Sequence, residues 1–303
     1  MATTTTAATV LDPIAVPAAR GQSLAASAWR RLLSSPVART GLAIVCGFVL
    51  MAVATPLVYQ YDAKTDSDLG LRLKPPTREH GFGTDSLGRD ILVRVLHGAR
   101  VSLGLGVSSV AVAAVVGSLL GIVAGYVGRR TDLVLMFCMD ILLAFPGTLL
   151  AIAIVAMIGP GLRNSLLAIS IVAIPIYARI SRAAVLELRN QEFVTAARGL
   201  GSGDRRIMFR HILPNSLPPL IVQTTLAIAF AILETAALGF LGLGAQPPAA
   251  EWGAMLADSY KYYTSGAWWV FFFPGAAIML AVLGFNLLGD GLRDALDPRL
   301  RTD

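Results

Sequence analysis

The chain has 303 residues, 55% of them hydrophobic and only 15% charged, with a formal net charge of +6 and a mean hydropathy of +0.67. Soluble domains carry about 25% charged residues, so this deficit, gathered in several long apolar runs, points to a protein of the bilayer. The basic excess then reflects loop arginines rather than nucleic-acid binding, and three His with two Cys (Cys46 and Cys138, both inside apolar runs) argue against a metal cluster or a disulfide framework.

In chain order, residues 1–27 are rich in Ala, Thr and Pro and read as a disordered tail. Residues 1–19 hold no Lys or Arg, so they lack the basic start of a cleavable signal peptide. The first apolar run then acts as an uncleaved anchor. Residues 24–35 are patterned either as an amphipathic surface helix or as a partly ordered tail. As a helix, Trp29 and Leu32 would lie in lipid with Arg30 and Arg31 towards phosphate. Residues 28–59 thus read as a surface helix plus the first transmembrane helix.

Apolar runs predict six spans, at about 38–59, 101–127, 133–158, 164–182, 215–238 and 268–289. About 20 residues cross a hydrocarbon core of about 30 Å, and without water to satisfy the backbone each must be a helix. The expected fold is an all-α polytopic bundle of six transmembrane helices. The fourth span is the weakest, because its uninterrupted apolar stretch covers only 166–178. Residues 60–100 read as an extracytoplasmic loop with a second surface helix at 88–100. Residues 101–290 read as the core, with a cytoplasmic loop at 183–213, and 291–303 as a cytoplasmic tail. Gly117, Gly121 and Gly125 form a small-residue ladder that lets two helix backbones approach. Pro146 and Pro175 each remove a helix hydrogen bond and predict kinks.

Basic residues set the orientation. With the N-terminus inside, sixteen Lys and Arg fall in cytoplasmic segments and nine outside, seven of those nine in the 60–100 loop. This favours both termini in the cytoplasm.

The loop between the fourth and fifth spans carries most of the functional signal. From Glu192 to Pro214, two short helical stretches flank the Gly-rich break Gly199-Leu200-Gly201-Ser202-Gly203. Ser202 or Asp204 is placed to cap the second stretch. Phe193, Val194, Ile207 and Met208 stand among basic residues. Apolar groups rimmed by charge suit a protein partner, although a solvated loop folded onto its own bundle fits the pattern as well.

This stretch resembles the EAA loop of ABC importer permeases, whose pattern is Glu-Ala-Ala, three residues, Gly, nine residues, Ile, one residue, Leu-Pro. Ala196, Ala197, Gly201, Leu213 and Pro214 fall in register, while Thr195 stands where the pattern has Glu and His211 where it has Ile. Other segments resemble the C-type subunits of dipeptide and oligopeptide permeases. These are Gly83-Thr84-Asp85-Ser86-Leu87-Gly88-Arg89-Asp90, Ala144-Phe145-Pro146, the run from Phe240 to Pro248, Glu251-Trp252-Gly253 and the run from Asn286 to Asp294. Glutathione and nickel permeases share these motifs.

The resemblance implies a type I importer permease fold, similar to that of the methionine importer's permease. It implies coupling to an ATPase through Thr195, Ala196, Ala197, Gly199, Gly201, Asp204, Ile207, Met208, His211, Leu213 and Pro214. Phe145, Pro146, Glu234 and Phe240 are candidate substrate-pathway residues. The implied partners are a second permease, two ATPase subunits (or two copies of one), an extracytoplasmic binding protein and the lipid bilayer of a bacterial inner membrane. ATP and Mg would sit on the ATPases, with no cofactor, metal or catalytic residue here. No Lys follows a Gly, so the chain has no P-loop.

Two rivals are weighed against this. Gly201-Ser202-Gly203-Asp204 and Tyr61-Asp62 match the paired motifs of intramembrane aspartyl proteases, but the topology puts them about 30 Å apart, on opposite sides of the membrane. An ion-coupled secondary transporter would need intramembrane acids. The candidates are Asp140, Glu234 and Asp290, of which only Glu234 reads as deeply placed. Tyr260, Tyr262, Tyr263, Trp268 and Trp269 suit an interfacial aromatic belt.

Overall fold

A computed structural model describes residues 24–59 and 66–296. The expected disordered tail up to residue 23, the Tyr61-Asp62 pair and the final seven residues lie outside them. The described residues are mostly helical and include no strand, with an irregular segment over 66–90. α1 (Leu24–Ser34) leads through Ser35 into α2 (Pro36–Val58), where the Ser35 hydroxyl accepts from the Ala38 amide and proline occupies the first turn. α3 (Ile91–Val127) begins at an Asp90 cap. α4 (Arg129–Leu143) and α5 (Gly147–Ile158) follow, then α6 (Leu162–Leu188), α7 (Glu192–Gly199) and α8 (Asp204–Arg206). A π-helical turn, Ile207–Ile212, joins α8 to α9 (Leu213–Phe240). α10 (Trp252–Ser259) and α11 (Trp269–Leu296) complete the chain.

Among the described residues five helices have the length and hydropathy to cross a membrane, and α4 with α5, bent by 90°, make a sixth when the pair is counted as one span. The third predicted span is therefore broken rather than kinked. Pro146 brings no amide hydrogen and disfavours helical geometry at Phe145. By contrast α6 stays helical through Pro175. The surface helix expected at 88–100 is instead the first part of α3, so the 60–100 loop ends at Asp90. The cytoplasmic tail expected from 291 is helical as far as Leu296.

The fourth span, weakest in hydropathy, is the 27-residue α6. Its strength is tertiary. α3 and α6 form the most extensive helix pair, and the glycine ladder lies on that contact. A Cβ on Gly117 would stand 2.5 Å from the Ile174 carbonyl oxygen, and one on Gly125 2.9 Å from Val185 Cβ. Ser165, Ser170 and Ser181, which dilute the hydropathy of α6, are buried.

α2 packs on α11 by the same device, since a Cβ on Gly41 would strike the backbone at Leu288. Leu32 does not lie in lipid. It is 3% exposed, in a cluster with Ala38 and Ala295, while Trp29 is exposed. Trp269 also leaves the expected aromatic belt: it is buried, and its indole donates to the Thr84 carbonyl at 3.2 Å. Cys46 and Cys138 are free and exposed.

Candidate functional site

α7, the Gly-rich break, α8 and the π-helical turn form an elbow at one end of the bundle. It turns at Gly201, whose φ of +79° is open to glycine but strained for other residues. The elbow buries one face. Val194 and Ile207 are fully buried against Ile122 of α3 and Val185 of α6, with Tyr126, Leu188, Met208 and Leu213 packed around them. Val194, Ile207 and Met208 are therefore not the presented surface that their setting suggested. Two short helices on a bundle must bury an apolar stripe, and these residues supply it. The outward apolar residues are Phe193, Leu200 and Phe209, with Leu200 88% exposed. Arg198, Arg205, Arg206 and Arg210 are exposed around them.

Neither Ser202 nor Asp204 caps α8. Gly203 holds the cap position without a side-chain bond, and Asp204 opens the helix. Its Oδ1 accepts from the Tyr126 hydroxyl at 2.6 Å, tying the elbow to the end of α3. Arg189, at the end of α6, donates to the Gly125 carbonyl at 3.1 Å and ties α6 to α3 just above the elbow. Of the other elbow candidates, Thr195, Ala196, Gly199, Gly201 and Pro214 are exposed, Ala197 is buried, and His211 and Leu213 are half-buried. Thr195, in place of the pattern's Glu, donates only to the Gln191 carbonyl of its own helix, at 3.4 Å.

Above the elbow, two ion pairs join α4 to α6. Arg182 grips Asp132 with both ends of its guanidinium, at 2.5 and 2.7 Å, and Arg179 donates to Asp140 at 2.6 Å. Both pairs line a cleft of about 740 Å³ with Arg129. Asp140, an ion-coupling candidate in the rival reading, thus has its counter-charge. The sequence held this signal: acids and arginines inside apolar runs must find each other or water.

The broken span brings Thr148, two residues beyond Pro146, to Glu234 of α9; its hydroxyl donates to Oε1 at 2.7 Å. Phe145, Pro146 and Phe240 are exposed. Phe240 lies six residues beyond Glu234, edge-on to Tyr260 with ring centroids 6.4 Å apart, so it does not join the Glu234 group.

At the opposite end of the bundle, the Gly83–Asp90 motif folds around a buried carboxylate. Asp85 accepts from Arg89 Nε at 2.7 Å, from the Leu87 amide at 2.8 Å and from Arg94. Glu251 is fully buried, between α3 and α9. It caps α10 by accepting from the Gly253 and Ala254 amides, each at 2.8 Å, and from Ser102 at 3.2 Å. Burial pushes its carboxyl above the ordinary range, and the three donors only partly offset this.

Residues 117–302 match the family described as binding-protein-dependent transport system inner membrane component, and residues 23–76 match the N-terminal transmembrane domain of oligopeptide transport permease C. The chain is 50% identical over 290 residues to a dipeptide transport system permease protein of Alkalihalophilus pseudofirmus, covering 94% of this chain and 95% of that one. It is 48% identical over 279 residues to a di/tripeptide transport system permease protein of Pseudomonas aeruginosa, covering 90% and 91%. Among solved structures, an inward-facing form of the MetNI methionine ABC transporter superposes with a TM-score of 0.54 at 20% identity, covering 68% of this chain and 98% of that one. With a fold of the type I permease kind and relatives matched nearly end to end, the chain belongs to the binding-protein-dependent transport-system inner-membrane family and is a permease subunit of an ABC transporter.

Proposed function

We propose that this permease imports di- and oligopeptides across a bacterial inner membrane, with both termini in the cytoplasm. It shares the pathway with a second permease and receives substrate from an extracytoplasmic binding protein. The elbow docks on an ATPase subunit, one of two, which carries the ATP and Mg. The relatives named for dipeptide and di/tripeptide transport support the substrate class.

One observation carries the coupling role. The elbow is anchored to α3 and α6 on one face, yet presents Leu200, Phe193 and Phe209 on the other. An exposed leucine adds nothing to the packing of its own bundle. Here it stands at the tip of a rigid, charge-rimmed projection, the geometry of an interface anchor. Leu200 does not line the bundle core, so Leu200→Asp tests docking rather than folding. An anchor lost from an interface centre costs about 2 kcal/mol, or about thirtyfold in affinity. The variant permease pair should purify intact, bind the ATPases about thirtyfold more weakly and lose transport-coupled hydrolysis. Wild-type affinity and coupling in Leu200→Asp would remove the elbow from this role.

A further inference from the structure

A cavity of about 260 Å³ opens among α3, α5, α6 and α9. Its wall is apolar, with Val110, Ala151, Ile169 and Phe230 contributing, and is interrupted by Gln223 and Glu234. Glu234 spends one carboxylate oxygen on the Thr148 hydroxyl. The other, Oε2, is buried and has no partner. A half-satisfied carboxyl in an apolar surround is costly until a donor or a cation reaches it.

No cation among the described residues lines this cavity. Arg179 and Arg182 are engaged by Asp140 and Asp132 in a separate cleft. Any donor or cation that meets Oε2 would therefore come from outside the bundle. A metal ion is a poor fit, because one carboxylate and one hydroxyl fall short of the six or more oxygens a hard cation takes, and no group of three His, Cys, Asp or Glu occurs among the described residues. The volume far exceeds the roughly 30 Å³ share of a water molecule. It suits a small organic cation with an apolar body.

A primary ammonium matches the polar end. One N–H can meet Oε2. A second can meet the Thr148 oxygen, which keeps its lone pairs after donating its proton to Glu234. The apolar wall then receives the side chain behind the charge. Gln223 lies eleven residues earlier on α9, about 16 Å along the axis, on the stripe it shares with Ala227, Phe230, Ala231 and Glu234.

We propose that this cavity is a transit site for the α-ammonium end of a small peptide, with Glu234 as the specificity-determining anion and Thr148 as its positioning partner. The inference rests on the peptide-importer reading. It is tested in the complete transporter, with both permeases, the ATPases and the binding protein reconstituted in liposomes, using radiolabelled alanyl-alanine as the probe. Glu234→Gln should assemble in normal yield yet lower uptake per ATP hydrolysed about tenfold, the order of one lost charge-assisted hydrogen bond. Glu234→Asp should restore part of it, and Thr148→Val should lower it several-fold.

Wild-type uptake by Glu234→Gln would overturn the inference and make Glu234 a resident neutral acid. Loss of the second permease from the Glu234→Gln complex would also overturn it and make Glu234 an intersubunit ion-pair partner. If the wild-type complex moves no peptide, the importer reading falls and takes the inference with it, an outcome distinct from both variant results.

Discussion

Gly121 offers the sharpest test of what holds the bundle together. A Cβ there would overlap the Ala178 carbonyl oxygen and stand 2.8 Å from Ser181 Cβ. Ordinary contact begins at 3.4 Å, and the Ala178 oxygen is closer still than Ser181 Cβ, so the two helices must part by about 1 Å. The obstructing atoms are backbone and Cβ, which no rotamer change can move. Overpacking of this kind costs about 1–3 kcal/mol. It outweighs the roughly 0.5–1 kcal/mol that alanine gains over glycine inside a helix. Gly104, on the same helix, is exposed, and a Cβ placed on it would have nothing within 4 Å, so Gly104→Ala should keep that gain. In detergent, thermal unfolding should therefore show Gly121→Ala melting below wild type and Gly104→Ala at or above it. Equal melting of the two variants would refute the claim that α3 and α6 are held by backbone approach.

Tyr126→Phe removes the hydroxyl that bonds Asp204 across 78 residues of chain. This partly exposed, charge-assisted bond is worth about 1 kcal/mol, so amide exchange across α7 and α8 should quicken about fivefold; unchanged exchange would show the tie to be idle. Glu251 predicts a pH effect. Its folded-state pKa lies above the ordinary value of 4.5, so the folded state holds the proton more tightly than the unfolded one. The Glu251 contribution to stability is then fully present below about 4.5 and is lost as pH rises through the folded pKa. Wild type should lose melting temperature relative to Glu251→Gln as pH rises through that window, and parallel pH profiles would contradict the assignment.

Much of the fold could be read from the sequence because bilayer physics leaves few options. Apolar runs of spanning length became helices, and the ladder at Gly117, Gly121 and Gly125 lies where two helices meet most closely. What escaped was whatever depended on partners distant in sequence. The hydropathy of α6 understates it, because its serines are buried in the bundle rather than turned to lipid. Ile207 and Met208 look like exposed apolar residues in a basic loop, and only the bundle end beneath them turns them inward. Tyr126 and Thr148 carry no local mark of function. Each matters through a single hydroxyl aimed at an acid on another element. Pro146 announced a disturbance but not its size, since a kink and a 90° break differ only in what the released segment finds to pack against.

The same long-range ties bear on how motion at the elbow would travel. From Asp204 to Phe240 the helical path is uninterrupted, passing through the π-helical turn and on to Glu234. The elbow's second limb is therefore the start of the span that carries the cavity's carboxylate, not a pad hung beneath it. Both limbs pack on α3 and α6, through the cluster of Ile122, Val185, Val194 and Ile207, and those two helices are locked by glycines that leave no slack. Sliding of α3 against α6 would have to break backbone-close contacts, whereas α9 borders a cavity lined by side chains and approaches the α3 backbone at Gly106, where a Cβ would stand 3.5 Å from the Ile232 nitrogen. A displacement at Leu200 that travels along α9 would change how closely Glu234 approaches Thr148. Of the contacts joining α5 to α9, the Thr148–Glu234 bond is the one such a displacement would open or close, and it borders the cavity assigned to the peptide ammonium.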